Sequence, residues 1–598
     1  MKLTRIYISN FRNFREVDIP LDGNIVIVGE NRVGKSNLLY ALRLIFDPGL
    51  PDSARQLGQG DFWDGLGEPL EGEQITIFVE MQEFEDDLDL LAQLTDFRLD
   101  DDPDTVRLTY EFRPLPGLDE FPESDDDYEF LCYGGESESR RFGHELRRRI
   151  AMDVLPALRD AESDLATWRR SPLRPLLERA FSAVPLEQLQ DVRNAVRDAT
   201  GQVATFDSVR DLEQQLRGLF ASMSGPKHDI ELSIGFGVTE ITRLYRNLQL
   251  LIDGGLRSIN DASLGSANVA FLTLKVLELL QLMSENRRDH SLLAIEEPEA
   301  HLHPHLQRSV YRYLFKKFVT ENVDYPLSLL LTTHSPHIVS VAPLRSLVLL
   351  RDAGHDGTIA TSTALIELSG DEEDDLARYL DVTRAEMLFA RGIILVEGDA
   401  EKFLVPVFAA SMGHDLDHLG ITVCSVAGTN FKPYAKFLTA LGIPFAVITD
   451  WDPRDGQLPL GHNRVLQLIN AVELQRTGQE PIQLLAELRA LSSYAQFDQR
   501  CAQHGMFTNV NTLEVDLFEG DFIEPIVEAL REENLSVQRQ RWVTAWEEDP
   551  DTLNHENYLK LIEAVGKGRF AQRLASRIEG LEPPSYISDA ITYVVGRV

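Results

Sequence analysis

Gly29-Glu30-Asn31-Arg32-Val33-Gly34-Lys35-Ser36-Asn37 stands between the apolar run NIVIV of residues 24–28 and the apolar stretch LLYALRLIF of residues 38–46. Positions 29–36 satisfy the eight-residue pattern G-x-x-x-x-G-K-[ST]. The flanks predict a strand before it and a helix after it. That order is what the chemistry requires: the glycines let main-chain N–H groups wrap a phosphate at a helix N-terminus, Lys35 reaches the β and γ phosphates, and Ser36 holds Mg²⁺. The segment therefore sets an α/β class around a nucleotide site.

Outward from this loop, KLTRIYI (2–8) and a turn around Asn10 to Asn13 precede it, and QITIFVEMQEF (74–84), TVRLTYEFRP (105–114) and YEFLCYGG (128–135) follow as β-rich runs. From about Arg140 to Arg217 the apolar period changes to 3.6, as in HELRRRIAMDVLPALRDAESDLATW (144–168), with Pro156, Pro172, Pro175 and Pro185 as punctuation. This predicts a helical insertion and not part of a sheet. Beta character returns at HDIELSIGF (228–236), followed by a long apolar helix near NVAFLTLKVLELLQLM (268–283) and the short strands SLLAIE (291–296) and LSLLLTT (327–333).

The first of these strands ends in Glu296 and Glu297. Glu296 is placed to contact the Mg²⁺ shell and Glu297 to polarise an attacking water, because phosphoryl transfer needs metal, aligned water and charge neutralisation. The second runs into Thr333-His334-Ser335, where His334 is a γ-phosphate sensor candidate. The run His301-Leu302-His303-Pro304-His305 invites a zinc reading, but no cysteine or carboxylate stands at the usual ligand spacing.

A second α/β pattern begins at GIILVEGDAE (392–401). A strand delivers Glu397 to its C-terminal end, Gly398 permits a tight turn, and Glu401 follows at a helix start. After IPFAVIT (443–449), Asp450 and Asp452 are separated by one residue, so in extended backbone they project to one side. Clustered hard oxygens that repel each other are tolerated when Mg²⁺ or Mn²⁺ joins them.

Composition bounds the partners. The 598 residues carry 58 Lys plus Arg against 96 Asp plus Glu, a formal charge of -38, which repels nucleic acid at long range. A polyanion must therefore meet local basic runs, such as Arg140 and Arg141 with Arg147 to Arg149, Arg169, Arg170 and Arg174, or Lys567 through Arg577, or bound metal. Each run is equally readable as a solvated helix face. Cys132, Cys424 and Cys501 are too scattered for a disulfide framework. No stretch reads as a membrane helix or signal peptide, so a cytoplasmic protein without a membrane partner is expected.

The segments NFRNF near the start, GENRVGKSN, Ser263-Leu264-Gly265-Ser266, EEPEAHLHP and TTHSP resemble the ATP-binding-cassette superfamily, especially its SMC, Rad50 and RecF branch. That resemblance implies ATP held by Gly29, Asn31, Gly34, Lys35, Ser36, Asn37 and Glu296, with Ser263 and Gly265 in the signature segment that closes over a neighbour's nucleotide. Glu-Gly after one strand and Asp-x-Asp after another resemble the Toprim domain. Both together, in this order, resemble the overcoming-lysogenization-defect (OLD) family of ATP-dependent nucleases. Within it, EGDAE (397–401), Asn511-Thr512-Leu513-Glu514-Val515-Asp516 and Lys567-Gly568-Arg569-Phe570 most resemble the Gabija-like subclass encoded beside a UvrD-like helicase.

The resemblance implies an ABC/SMC-like ATPase head with a helical insertion, followed by a Toprim α/β domain. The change of period near Arg140 and the second α/β pattern put the boundaries at 1–139 and 226–384 for the head, 140–225 for the insertion and 385–598 for the Toprim domain. The resemblance further implies a two-metal DNA endonuclease or nickase, with Glu397, Glu401, Asp450, Asp452, Glu514 and Asp516 as ligands of Mg²⁺ or Mn²⁺ and Lys567 neutralising charge on the scissile phosphate. Homodimers or homotetramers are implied, with the insertion at the interface. The alternative is an ATP-gated clamp or scaffold on DNA without nuclease activity. A topoisomerase needs a tyrosine nucleophile in a DNA-binding domain that is not evident, and a transporter cassette leaves the C-terminal carboxylates unexplained.

Overall fold

The computed structural model describes residues 1–598 except 68–69, 71, 119–120, 158–159, 225–231, 233, 235–245, 247, 321–325 and 455. Its contacts divide into two compact units. One comprises Met1–Leu155, Leu292–Glu299 and Pro304–Val598, and the other Pro156–Ser291 with Ala300–His303. The fold is mixed α/β.

In the first unit, Ile25–Gly29 is buried along its whole length, as a strand covered on both faces must be. It is central to a six-stranded sheet, in the order Thr358–Ser362, Leu347–Asp352, Ile25–Gly29, Leu327–Thr333, His290–Glu296, Ile150–Leu155. It pairs in parallel with Leu327–Thr333 on one side and Leu347–Asp352 on the other. A five-stranded antiparallel sheet, ordered Phe14–Pro20, Lys2–Phe11, Ile75–Gln82, Val106–Pro114, Tyr128–Gly134, shares its core with this sheet through helix Lys35–Phe46.

The same unit carries a four-stranded parallel sheet in the order Ile421–Ser425, Gly392–Val396, Phe445–Thr449, Met506–Thr508. The chain leaves Gly392–Val396 first to one side and then returns to the other. The crevice between the carboxyl ends of Gly392–Val396 and Phe445–Thr449 is thus a topological switch point, where α/β sheets place their ligands. Helices Asp399–Ser411, Leu513–Glu519, His555–Val565, Lys567–Ala575 and Ser585–Val595 close a separate core over this sheet.

The second unit is built largely on helices Leu173–Ser182, Leu186–Gly201, Asp207–Ser224 and Leu264–Ser284. Leu212, Leu216, Leu219 and Met223 recur at helical spacing on one face of Asp207–Ser224 and are all exposed, Met223 by 80%.

Three expectations are corrected. The helical period does not run through IAMDVL: Ile150–Leu155 is an edge strand of the six-stranded sheet. A short apolar run of this length satisfies either period, and pairing in the sheet decides it. The acidic segment Asp371 to Asp375, whose composition reads as a run preceding a helix and the second α/β pattern, instead forms the first turns of Gly370–Tyr379, capped by Ser369. One helix, Leu264–Ser284, is long and apolar enough to cross a membrane by length and composition, against the expectation that no stretch is. It buries Gly265, Ala267, Phe271, Leu272, Leu274, Leu279 and Met283, as core helices also do. The run HDIELSIGF lies almost wholly outside the described residues.

Candidate active sites

The phosphate loop is held open by its own backbone and by Asn13. Arg32 and Gly34 have φ of 72° and 91°, the conformation that turns successive N–H groups to one side. A Cβ on Gly34 would lie 2.0 Å from the Asn13 amide, so only glycine fits. Asn13 donates to the Val33 carbonyl (2.9 Å) and to Thr358 Oγ1 (2.7 Å), and accepts from Asn37 Nδ2 (2.6 Å). Arg12 Nη1 donates to Asn37 Oδ1 at 2.9 Å. NFRNF therefore props the turn and the first helical residues.

Lys35 is buried, and its Nζ donates to the carbonyls of Gly29 (2.9 Å) and Glu30 (2.7 Å). Burial pushes the ammonium down to about 8, against the raising influence of Glu297, Glu299 and Glu30. Ser36 and Asn31 are exposed beside it.

Glu296 ends its strand, and Glu297 follows with φ of 40°, its N–H donating to the Thr332 carbonyl at 2.9 Å. His334 Nε2 lies 4.0 Å from Glu297 Oε1. Burial and then Lys35 lower the His334 pKa, with Glu297 opposing, so the imidazole is held toward its neutral form. Lys35, Glu297 and His334 thus converge. Glu299 is a residue that sequence reasoning passed over: its carboxylate accepts from His334 N (2.6 Å) and Thr333 Oγ1 (2.9 Å), fixing the Thr333–His334 turn. Its place in EEPE, one turn past the acidic pair, was the available signal.

Ser263 and Gly265 belong to the other unit. Ser263 caps helix Leu264–Ser284, accepting from Ser266 N at 3.3 Å. A Cβ on Gly265 would lie 2.9 Å from the His301 carbonyl, so the glycine permits close packing there.

At the switch point of the parallel sheet, Glu397 Oε1 accepts from Thr449 Oγ1 (2.6 Å), Asp450 N (2.9 Å) and Arg464 Nη1 (2.8 Å). Arg464 Nη2 also holds Asp452 Oδ2 at 3.0 Å. Asp450 Oδ1 accepts from the Asn509 side-chain amide and from Leu513 N. Glu401 Oε2 accepts from Gly398 N at 3.1 Å, closing the first turn of its helix. Glu514 is 2% exposed, and its Oε1 pairs with Lys567 Nζ at 3.0 Å.

These groups share one electrostatic site. Burial first, then Glu514 and Glu397, push the Glu401 carboxyl up to about 7. Burial, then Glu397 and Glu401, raise Asp450 well above the usual carboxylate range. Burial opposes the charge of Lys567, but Glu514, Asp450 and Glu401 outweigh it and hold the ammonium above its ordinary value.

Two expected placements differ. Asp450 and Asp452 are not side by side on extended backbone, because Asp452 has φ of 52° and turns toward Arg464. Glu514 and Asp516, expected together as metal ligands, lie on helix Leu513–Glu519, where two residues of spacing point them apart. Asp516 caps its own loop, accepting from Val510 N (2.7 Å) and Asn511 N (3.0 Å). Arg464 and Asn509 were not anticipated; neither lies in a local pattern that signals chemistry.

Among the described residues, no three His, Cys, Asp or Glu side chains stand at the spacing of a formed metal centre. The donor set nonetheless fits a hard divalent cation. Glu514 Oε2 is buried with no hydrogen-bond partner. Glu397, Glu401, Asp450, Asp452 and Glu514 exceed the two cations, Arg464 and Lys567, that touch them. Buried oxygens in that condition demand a proton or a cation.

A parallel sheet built around a phosphate loop and a Toprim-like parallel sheet with acidic strand ends, carried in one chain, define the class. A family profile described as "AAA domain, putative AbiEii toxin, Type IV TA system" matches residues 25–340, more than half of the chain, and one described as "Overcoming lysogenization defect protein-like, TOPRIM domain" matches 388–452. The chain is 42% identical to the C-terminal region of the Burkholderia pseudomallei OLD protein, covering 35% of this chain and 98% of that one, with a TM-score of 0.31. It is 27% identical over 480 residues to the uncharacterized protein YbjD of Escherichia coli (strain K12), covering 76% of this chain and 80% of that protein. It is 23% identical over 500 residues to the endonuclease GajA of Bacillus cereus (strain VD045), covering 79% and 80%. The chain belongs to the OLD family.

Proposed function

We propose that this protein is an ATP-dependent nuclease whose Toprim domain hydrolyses DNA phosphodiesters with Mg²⁺ or Mn²⁺. The observation that carries the reading is the meeting of Glu397, Glu401, Asp450 and Glu514 with Lys567 at the switch point of a parallel sheet, buried and short of positive charge. Glu397, Glu401, Asp450 and Glu514 hold the metal, and Asp452 joins them on release from Arg464. Asp516 serves the site by fixing the Val510–Asn511 turn.

When bound, the ions supply an activated water and stabilise the leaving oxygen. Lys567 offsets charge developing on the scissile phosphate. In the head, Gly29, Asn31, Gly34, Lys35, Ser36 and Asn37 bind ATP, with Glu296 toward Mg²⁺, Glu297 orienting water and His334 at the γ phosphate. Ser263 and Gly265 complete a second copy's site, so the working form is a homo-oligomer, dimer or tetramer. The exposed stripe Leu212, Leu216, Leu219 and Met223 supports an interface on the insertion. The domains are read as 1–139 and 226–384 for the head, 140–225 for the insertion and 385–598 for the nuclease. A cytoplasmic setting, a UvrD-like helicase partner and a role in defence against phage follow from the Gabija-like reading, which the similarity to GajA supports.

The test is supercoiled plasmid incubated with the purified protein and Mg²⁺ or Mn²⁺, with and without ATP. Nicked or linear product supports the nuclease. Intact plasmid that is nonetheless bound in an ATP-dependent manner favours the clamp.

A further inference from the structure

The phosphate loop and the first strand of the parallel sheet meet at a cavity of about 400 Å³ whose lining includes Gly29, Glu30, Arg351, Arg391 and Arg597. Here Glu30, inside the loop, accepts two hydrogen bonds from Arg391, at 2.8 Å from Nε and 3.1 Å from Nη2. Arg391 immediately precedes Gly392–Val396, the strand that ends at Glu397. Its carbonyl accepts from Arg351 Nη2 at 3.4 Å, and Arg351 Nη1 donates to the Gly442 carbonyl at 2.6 Å. Gly442 lies just before Phe445–Thr449, the strand that ends at Asp450. Arg351 follows Leu350, which pairs with Gly29 in the head sheet. The two strands that deliver Glu397 and Asp450 are therefore gripped at their starting ends by arginines tied to the phosphate loop.

The loop also contains an element with two alternatives. Lys35 Nζ donates to the carbonyls of Gly29 and Glu30. Nucleotide phosphates compete for the same ammonium, and a charge-assisted bond to phosphate displaces a neutral carbonyl. Withdrawing Lys35 releases the main chain of Glu30, the residue whose side chain holds Arg391. A five-residue strand spans about 17 Å and is too closely packed to absorb a shift at its start, and a misplacement of about 1 Å at a catalytic group costs about a hundredfold in rate.

We propose that Glu30, Arg391 and Arg351 form a relay through which nucleotide at the phosphate loop sets the placement of Glu397 and Asp450, and so regulates the Toprim site. The proposal rests on the nuclease reading above for its effect on cleavage, but not for its structural consequence. Glu30 and Arg391 are exposed by 48% and 59%, and such a pair contributes little to stability. Arg391→Met therefore folds as the wild type does.

The experiment uses the full-length protein with saturating ATP or a slowly hydrolysed analogue, saturation being checked for each variant by direct binding. Two readouts are taken: hydrogen exchange of residues 392–398 and 445–450, and the ratio of plasmid cleavage with nucleotide to cleavage without. In the wild type, nucleotide changes the exchange of these segments and moves the cleavage ratio away from one by about fivefold or more, the usual scale of coupling between sites. In Arg391→Met both responses vanish, and Arg391→Lys, which keeps the charge but not the paired bonds, retains part of each. Wild-type exchange and cleavage indifferent to nucleotide, or Arg391→Met responding fully, overturns the relay. Exchange that responds in a protein that cuts nothing leaves the relay standing and refutes the nuclease reading.

Discussion

Glu401→Gln stabilises the protein in EDTA at pH 8 while weakening its hold on divalent metal. The carboxyl is pushed up to about 7 from an ordinary 4.5, by burial and by Glu514 and Glu397, so its ionisation is resisted in the fold and free in the unfolded chain. Between those two values the folded state binds more protons than the unfolded one, and stability falls as pH rises. The penalty is complete above about pH 7 and amounts to about 3 kcal/mol, from 2.5 pKa units at about 1.4 kcal/mol each. Glutamine carries no charge and keeps an oxygen for the Gly398 N–H bond, so it removes the penalty without removing the cap. Scanning calorimetry in EDTA should show the transition of the unit that carries Glu401 raised by several degrees at pH 8, with the difference shrinking below about 1 kcal/mol at pH 5. Adding Mn²⁺ should stabilise the wild type more than the variant, since binding to the folded state alone adds stability. A variant no more stable than wild type at pH 8, or a difference that grows toward pH 5, refutes the reasoning.

Arg464→Met leaves Glu397 and Asp452 without their shared counter-charge and lowers stability in EDTA by about 3 kcal/mol, read by denaturant titration; an unchanged midpoint contradicts its positioning role. Lys567→Met lowers the cleavage rate by about 10² to 10³ at saturating Mn²⁺ with ATP affinity unaltered, and a rate within threefold of wild type excludes it from charge neutralisation. Leu216→Glu combined with Leu219→Glu shifts the protein to a smaller species in light scattering at micromolar concentration; an unchanged mass clears this helix face of an assembly role.

Both sites were legible where chemistry depends on a local strand–turn–helix pattern. Gly29 to Ser36 and Gly392 to Glu401 each pack strand, turn and helix start into about ten residues, so the sequence neighbours are also the spatial neighbours. Legibility ended where partners are brought together by tertiary structure. Arg464 lies about one turn into helix Leu460–Thr477, beyond the loop that follows Asp452, with a guanidinium that nothing local distinguishes from a surface one. Asn509 reaches Asp450 only because Met506–Thr508 pairs beside Phe445–Thr449. The resemblance implied both Glu514 and Asp516 as ligands, but the segment is helical and one carboxylate turns inward while the other caps a loop. Ile150–Leu155 shows the same limit for the fold: six apolar-rich residues fit either period until a neighbouring strand selects one.

The central claim, that the acidic cluster at the switch point performs the cleavage, is tested most directly by Asp450→Ala assayed on supercoiled plasmid at saturating Mn²⁺, with nucleotide binding measured on the same preparation. Asp450 joins the two strand ends through its contacts to Asn509 and Leu513 and through its coupling to Glu397 and Glu401. The account predicts no nicked or linear product above background and ATP affinity equal to that of wild type. Cleavage at the wild-type rate by that variant would contradict it.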